Sequence, residues 1–331
     1  MNYKKYIFVE QTNREMILLR DYIIRRLING LLLVFTVTVL VFSMLHLMPG
    51  DPIDLMVDRK VPPERRQAMK VEFGLDRPLP EQYWNWIKKI VTKMDFGISL
   101  RNRQPVWEMM KMRIPISLKL CGWTLLVEML IAVPLGLLCA YKKDTLFDRI
   151  TVNTTLVLTA IPGFWISVLL ILLFGVNLKW FPLSGYETSK HFVLPIASGV
   201  IGGVAGTIRL TKSEVLDVYR EKYVLTAYAK GLSKRTVMIK HVLRNALILI
   251  TVLVFMSIPW LISGAVITER IFAIPGMGSL MINSIVQQDY AVVQGCVLVI
   301  SLLTVISNII SDIVIGLLDP RIRVSVSGGD N

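Results

Sequence analysis

Long runs of residues without formal charge are the feature that most limits the folds open to this chain. The first lies between residues 27 and 48 and directly follows Arg25 and Arg26. At about 1.5 Å of rise per residue, a helix of this length crosses the roughly 30 Å hydrocarbon core of a bilayer. Only 18% of the 331 residues are charged, whereas soluble proteins carry about a quarter. The pattern predicts an all-α membrane protein whose helices cross the bilayer several times.

About six segments fit this description. We predict them at Leu27–Met48, Ile116–Tyr141, Ile150–Val176, Phe192–Leu210, Leu247–Ile267 and Tyr290–Leu318. The third contains Pro162-Gly163, which favours a kink lined by neighbouring helices. The fourth is rich in glycine, and such residues usually allow helices to approach closely in lipid; a mobile helix beside a transport path is the alternative. These glycines are Gly199, Gly202, Gly203 and Gly206.

The distribution of Lys and Arg predicts the orientation of these spans. Nine basic residues lie between Arg209 and Arg244, and the N-terminal tail, the second–third connection and the C-terminus are also basic. Basic residues are enriched in short cytoplasmic connections, so both termini are predicted to be cytoplasmic. The loop 49–115 is also basic, but long loops translocate largely regardless of charge.

This orientation divides the chain into four parts. We predict a cytoplasmic tail (1–26), a first span with a long extracytoplasmic loop (27–115), a five-helix core (116–319) and a cytoplasmic C-terminal tail (320–331). The core contains a cytoplasmic loop at residues 211–246. In the long extracytoplasmic loop, the segment Glu81-Gln-Tyr-Trp-Asn-Trp-Ile predicts an amphipathic helix, which either anchors at the outer membrane interface or contacts substrate.

The chain lacks the residues that several functional classes require. The chain has no Gly-Lys dipeptide and therefore no phosphate-binding loop for ATP. Cys121, Cys139 and Cys296 lie inside apolar segments without metal-type spacing, so we expect no metal or other cofactor in this chain. The net charge is +13, but the basic residues flank apolar segments instead of forming one basic face. We therefore expect lipid and not nucleic acid as a partner. No catalytic residues are predicted.

The loop between the fourth and fifth spans has the pattern of a helix, a glycine turn and a second helix. Gly231 stands where a tight turn needs a positive φ, and Ser233 is a candidate N-cap for the helix that follows. A short helix before the turn would expose Val224, Ala227 and Tyr228 on one side. The loop is either a docking site for a partner or a solvated basic loop that sets topology.

This loop resembles the EAA motif by which membrane subunits of bacterial ABC importers bind their ATPase. Gly231 takes the motif's glycine and Ala227 its second alanine, whereas Leu225 stands in place of the glutamate and Arg244 in place of the proline. Further segments are similar to the B-type permease subunit of dipeptide, oligopeptide and nickel ABC importers, and they follow the family's order. They are Met48-Pro-Gly-Asp-Pro52, Phe73-Gly-Leu-Asp-Arg-Pro-Leu-Pro-Glu-Gln-Tyr83, Asp95-Phe-Gly-Ile-Ser99, Ile161-Pro-Gly-Phe-Trp165, Glu269-Arg-Ile-Phe-Ala-Ile-Pro-Gly-Met-Gly278 and Leu318-Asp-Pro-Arg321.

The resemblance implies a type I ABC importer permease of the MetI-like fold in the bacterial cytoplasmic (inner) membrane. It would form half of the translocation pathway, most simply for di- or oligopeptides. Its partners would be a homologous second permease (as a heterodimer), two ATP-binding subunits that hold ATP and Mg²⁺, and an extracytoplasmic substrate-binding protein. The residues expected to couple to the ATPase are Val224, Ala227, Tyr228, Gly231 and Leu232.

Four charged residues near or within the spans are candidates for more than one role. Glu269 and Arg270, at the outer end of the fifth span, are candidates either for an extracytoplasmic gate or for a site that receives the binding protein. Glu128 and Asp312 lie inside the second and sixth spans, where Glu128 either has a structural role or lines the path. An ion-coupled secondary transporter is the competing interpretation, and it predicts paired intramembrane acids and inverted repeats.

Overall fold

The computed structural model describes residue 20 and residues 23–43, 62–99 and 101–318. Within these ranges every regular element is a helix, apart from a single bridge between Ile98 and Pro105. The landmarks at residues 48–52 and 319–321, and the tail at 320–331, lie outside them. In chain order the α-helices are α1 (Ile23–Ser43), α2 (Pro63–Phe73), α3 (Leu79–Lys93), α4 (Val106–Lys111), α5 (Ile114–Tyr141), α6 (Leu146–Ala160), α7 (Gly163–Leu170), α8 (Val193–Tyr219), α9 (Lys222–Ala229), α10 (Lys234–Val237), α11 (Arg244–Ile271), α12 (Met277–Val286) and α13 (Tyr290–Leu318).

The six predicted spans correspond in position to α1, α5, α6 with α7, α8, α11 and α13. By length and composition, four helical segments of the described chain can cross a membrane, and the bent pair α6–α7 brings the number to five. Helix α11 occupies the place of the remaining span: it is 28 residues long and uncharged from Leu247 to Ile267. The all-α membrane architecture is therefore confirmed.

The third span is broken where the sequence predicts a kink. Helices α6 and α7 meet at an angle of 97°. Pro162 cannot donate a helical hydrogen bond, and Ile161 before it is extended, at φ −90° and ψ 126°. Helix α7 then continues as a π-helix, Ile171–Asn177, so this span consists of two arms with different directions.

Helices α5 and α8 pack against each other along a seam of small residues. A Cβ atom at Gly199 would lie 2.7 Å from Thr124 Cγ2, and one at Gly203 would lie 2.5 Å from Glu128 Oε2. Neither Gly202 nor Gly206 has a heavy atom within 4 Å of such a Cβ position. Close helix approach therefore explains two of the four glycines, and the other two border open space.

Helix α1 packs on α13 at one end of the bundle and against α3 further along. Arg26 Nε lies 3.1 Å from Asp312 Oδ2 on α13. The predicted amphipathic helix is present as α3, and its Tyr83 and Trp86 rings lie 5.5 and 6.1 Å from the ring of Phe42 on α1. Trp84, on another face of α3, is 66% exposed.

Helix α8 is longer than the predicted fourth span. It continues without a break to Tyr219, so the first residues of the expected loop 211–246 are a helical extension of the membrane segment. We call the end of the bundle that carries α9 and α10 the coupling end. The end where α12 lies is the opposite end.

Candidate functional site

The segment between α8 and α11 has the predicted helix–glycine turn–helix structure. Helix α9 precedes Gly231, which has a φ of +79°, and α10 follows. Ser233 is the N-cap of α10, and its hydroxyl accepts a hydrogen bond from the backbone N–H of Thr236 at 3.4 Å. The predictions of a short helix, of a left-handed glycine and of the Ser233 cap are all confirmed.

Helix α9 is held in place by an apolar cluster at the coupling end. Val224, Val237 and Val242 are fully buried, and Ala227 is 5% exposed. Residues of α5, α8, α10, α11 and the intervening π-helix Met238–Leu243 complete this coupling cluster. Its buried members are Ala140, Val215, Val218, Val224, Ala227, Val237, Met238, Val242, Ala246 and Ile250. The coupling segment is thus packed onto the membrane helices on both sides of it.

The prediction that Val224, Ala227 and Tyr228 form an exposed face is wrong for the first two. Apolar residues at i and i+3 form the core-facing stripe of α9. The side chains that do point outward include Leu225, which is 64% exposed, and Tyr223, which is 39% exposed. The same spacing that suggested a docking face in the sequence marks the face that anchors the helix.

Two hydrogen bonds orient the coupling segment relative to its neighbours. The hydroxyls of Tyr219 and Tyr228 lie 2.5 Å apart. Asn245 Nδ2 donates to Tyr223 Oη at 2.7 Å. Burial, together with the hydrogen bond between the Tyr219 and Tyr228 hydroxyls, raises the pKa of Tyr228 to about 12. The Tyr228 phenol is therefore neutral at physiological pH, and its hydrogen bond with Tyr219 links α9 to α8.

A cation contact joins α10 to the end of α5. Lys234 Nζ lies 4.8 Å from the centroid of the Tyr141 ring and donates to the Tyr141 carbonyl at 3.2 Å. Helix α6 is joined to α8 nearby by an ion pair between Lys212 and Asp148, with 2.6 Å between Nζ and Oδ1. The coupling segment is therefore connected to α5 directly and to α6 through α8. Nothing in the spacing of these residues along the sequence indicated the connections.

Glu269 and Arg270, the candidate gate residues, both contact α12 or the turn before it. Glu269 is fully buried; it accepts hydrogen bonds from Ser117 Oγ at 2.5 Å and from the Ser279 backbone N–H at 3.0 Å. Ser279 lies in the first turn of α12, so the carboxyl group caps that helix from α11. Arg270 donates to Asn283 Oδ1 at 2.6 Å. The structure thus places the pair at the opposite end, where it fastens α12 to α11 and α5.

The two intramembrane acids have separate partners. Glu128 on α5 is 3% exposed and accepts a hydrogen bond from Thr207 Oγ1 of α8 at 2.6 Å. Asp312 on α13 pairs with Arg26. Glu128 lies on the α5–α8 seam beside Gly203, which favours its structural role over lining a path.

Comparison with known proteins connects this geometry to a family. The family model described as "Binding-protein-dependent transport system inner membrane component" matches residues 132–324, and the N-terminal model that accompanies it matches residues 18–121. The first range includes the whole coupling segment and the helices α6 to α13.

Relatives match over nearly their full length. The oligopeptide transport system permease protein AppB of Bacillus subtilis is 36% identical, over 91% of this chain and 99% of its own. The dipeptide transport system permease protein DppB of Escherichia coli K12 is 32% identical, over 92% and 98%. A putative peptide transport system permease protein of Brucella abortus is 32% identical, over 91% and 98%. The chain therefore belongs to the binding-protein-dependent transport system inner membrane component family, as a multi-pass, non-catalytic permease subunit of an ABC importer whose ATPase is on separate subunits.

Proposed function

We propose that this chain is one permease of an importer for di- or oligopeptides and forms half of the translocation pathway. The relatives named above are peptide permeases, and their similarity covers the membrane helices as well as the coupling segment. The observation that carries the proposal is the packed coupling segment. It joins α8 to α11 and presents side chains outward from a buried anchor.

The coupling segment is the proposed docking site for an ATP-binding subunit. Leu225 of α9 is a large apolar side chain at 64% exposure, and Gly231 in the turn that follows α9 is also exposed. Leu232 and Tyr228 are partly buried next to this surface, where a partner can reach them. Val224 and Ala227, buried beneath it, transmit force to the bundle instead of touching the partner. ATP and Mg²⁺ are held by the partner subunits in this proposal.

Transmission of a movement from the ATP-binding subunits to the membrane helices requires that the coupling segment move as a unit with the helices attached to it. Closure of the ATP-binding subunits shifts the conformational equilibrium of the permease only under one condition. The closed subunits must bind two conformational states of the permease with different affinity. Helix α8 runs unbroken from the opposite end to the coupling end, and it is fastened to α5 and α6 by the contacts described above. A displacement at α9 is therefore delivered to the membrane portion of α8.

The remaining partners and the location follow from the same class. The proposed complex contains a homologous second permease, two ATP-binding subunits and an extracytoplasmic substrate-binding protein in the bacterial cytoplasmic membrane. Exposed basic residues around the coupling segment, including Lys222, Lys230 and Arg235, support a cytoplasmic coupling end. Both termini then lie on that side.

The test is purification followed by reconstitution. The tagged chain is purified in mild detergent, the proteins that elute with it are identified by mass spectrometry, and the complex is placed in liposomes with the binding protein. We expect an ATP-binding pair, a second permease and uptake of radiolabelled Ala-Ala that requires ATP hydrolysis. A non-hydrolysable ATP analogue is the matched control.

Two outcomes would contradict the proposal. A chain that elutes alone and takes up solute on an ion gradient without ATP would indicate a secondary transporter. A complete complex that hydrolyses ATP but imports no peptide would retain the importer class and reject the peptide substrate.

A further inference from the structure

A cavity inside the membrane portion of this chain has no role in the coupling described so far. It has a volume of about 260 Å³ and lies between α5, α7, α8 and α11. Residues near the ends of α8 and α11 that are remote from the coupling segment line it, so it belongs to the opposite half of the bundle. Its rim includes Phe164 and Ile267, which are 52% and 57% exposed.

The walls of the cavity are uncharged, and three of the four hydroxyl groups that line it are already hydrogen-bonded; the fourth belongs to Thr268. Among the described residues that line it, none is charged. Thr124 Oγ1 donates to the Leu120 carbonyl at 2.8 Å, and the Ser167 and Ser198 hydroxyls lie 2.6 Å apart. The three paired hydroxyls do not need a hydrogen-bonding partner from an occupant, and only the Thr268 hydroxyl is left to form one. The cavity therefore suits an uncharged group and would discriminate by size more than by hydrogen bonding.

The size of the cavity is appropriate for one side chain. A dry apolar cavity of about 150 Å³ holds benzene, so 260 Å³ accommodates an aromatic side chain with room to spare. A charged peptide terminus has no counter-charge among these walls and would remain outside, because an unpaired charge in a low-dielectric site is costly.

The cavity lies between the two helices that the coupling segment joins. Its walls include Ser198 and Gly202 of α8 and Ala265 of α11. Residues 220–243, which lead from α8 to α11, form the coupling segment at the other end of the bundle. A change in the relative position of α8 and α11, driven from that end, necessarily changes the shape of the cavity.

We propose that this cavity is a transient binding site for one uncharged side chain of a peptide in transit. The inference rests on the proposed function and adds a substrate contact to it. It predicts that filling the cavity impairs import according to the size of the substrate side chain, while small peptides still pass.

The chain offers a matched set of glycines for this test. Gly163 and Gly202 line the cavity, whereas Gly122 and Gly206 do not. At all four positions a Cβ atom would have no heavy atom within 4 Å. Each is replaced by phenylalanine in the full reconstituted complex. Initial uptake rates of Ala-Ala and Ala-Phe, at saturating binding protein, are compared with wild type.

We expect Gly202→Phe and Gly163→Phe to lower uptake of Ala-Phe about tenfold more than uptake of Ala-Ala, in the range by which apolar pockets discriminate by size. Gly206→Phe and Gly122→Phe should leave the ratio of the two rates unchanged. Retained Ala-Ala uptake shows that a variant is folded and coupled.

Three results would overturn the inference. Unchanged uptake of both peptides in the cavity variants would mean that lipid or nothing occupies the cavity. An equal loss for both peptides would mean that added bulk blocks the motion of the helices. If the wild-type complex imports neither peptide while hydrolysing ATP, the proposed function is wrong and the substrate site is rejected with it.

Discussion

Lys212 of α8 and Asp148 of α6 form an ion pair, with 2.6 Å between Nζ and Oδ1, and both side chains are largely buried, at 20% and 5% exposure. Asp148 also accepts a hydrogen bond from the Asp144 backbone N–H at 3.0 Å, in the turn that precedes α6. The pair lies close to where α8 passes into the coupling segment. It therefore joins the turn between α5 and α6 to α8, the helix that leads into the coupling segment.

Breaking this pair should destabilise the protein. Lys212→Met leaves the Asp148 carboxylate buried without its cation, a change that typically costs about 3–5 kcal/mol. Arg220→Met is the matched control, because the Arg220–Asp217 pair is 3.9 Å long and exposed at 73% and 62%, so its loss should cost less than about 1 kcal/mol. Thermal unfolding in detergent, followed by tryptophan fluorescence, compares the two. Equal shifts in the midpoint of thermal unfolding would show that the buried pair stabilises the protein no more than the exposed pair does.

Gly231 should be essential for coupling but not for membrane insertion. Its φ of +79° is disfavoured for other residues, and a side chain with a branched Cβ adds about 1–2 kcal/mol of strain or more. Gly231→Val should lower ATP-driven uptake while the purified amount of the chain stays unchanged. Gly231→Asn should retain more uptake, because asparagine tolerates this conformation.

The control for the Gly231 variants is Gly74→Val. Gly74 also has a positive φ, +70°, and ends α2, far from the coupling segment along the chain. This control should carry the same local strain and leave uptake intact. If both valine variants reduce uptake equally, backbone strain and not docking accounts for the loss.

Replacing Glu269 should loosen the opposite end of the bundle. Glu269→Ala leaves the Ser279 N–H and the Ser117 hydroxyl without their acceptor, at about 1–3 kcal/mol for each buried group. Arg270→Ala, next to it on the exposed side, removes only a surface hydrogen bond to Asn283 and should cost far less. Proteolysis of the segment around α12 measures the difference. Equal protection in both variants would exclude Glu269 as the cap of α12.

The Arg26–Asp312 contact should be recoverable by exchanging the charges. Arg26→Asp places two acids near each other beside the membrane ends of α1 and α13 and should weaken the association of these helices. Adding Asp312→Arg restores an attractive pair and should recover at least part of the loss. The yield of complete complex after detergent extraction is the measurement. A double variant no better than the single one would show that the contact does not act through charge.

Much of the architecture can be predicted from the sequence because it depends on local chemistry. The length of an uncharged run determines whether a helix crosses a bilayer, and Pro162 interrupts its helix wherever the neighbours lie. Gly231 and Ser233 act within a few residues of themselves, so the turn and the N-cap could be predicted without knowledge of the fold.

Which side of each helix meets a partner was decided only by the tertiary structure. Val224 and Ala227 have the spacing of a docking face, yet they are buried because α8, α10 and the segment leading to α11 lie against that stripe. Glu269 accepts a hydrogen bond from Ser117, 152 residues earlier in the chain. The sequence determined the helices, the breaks and the turn; packing between distant segments decided which side chains are anchors, which are exposed and where the bundle leaves a cavity.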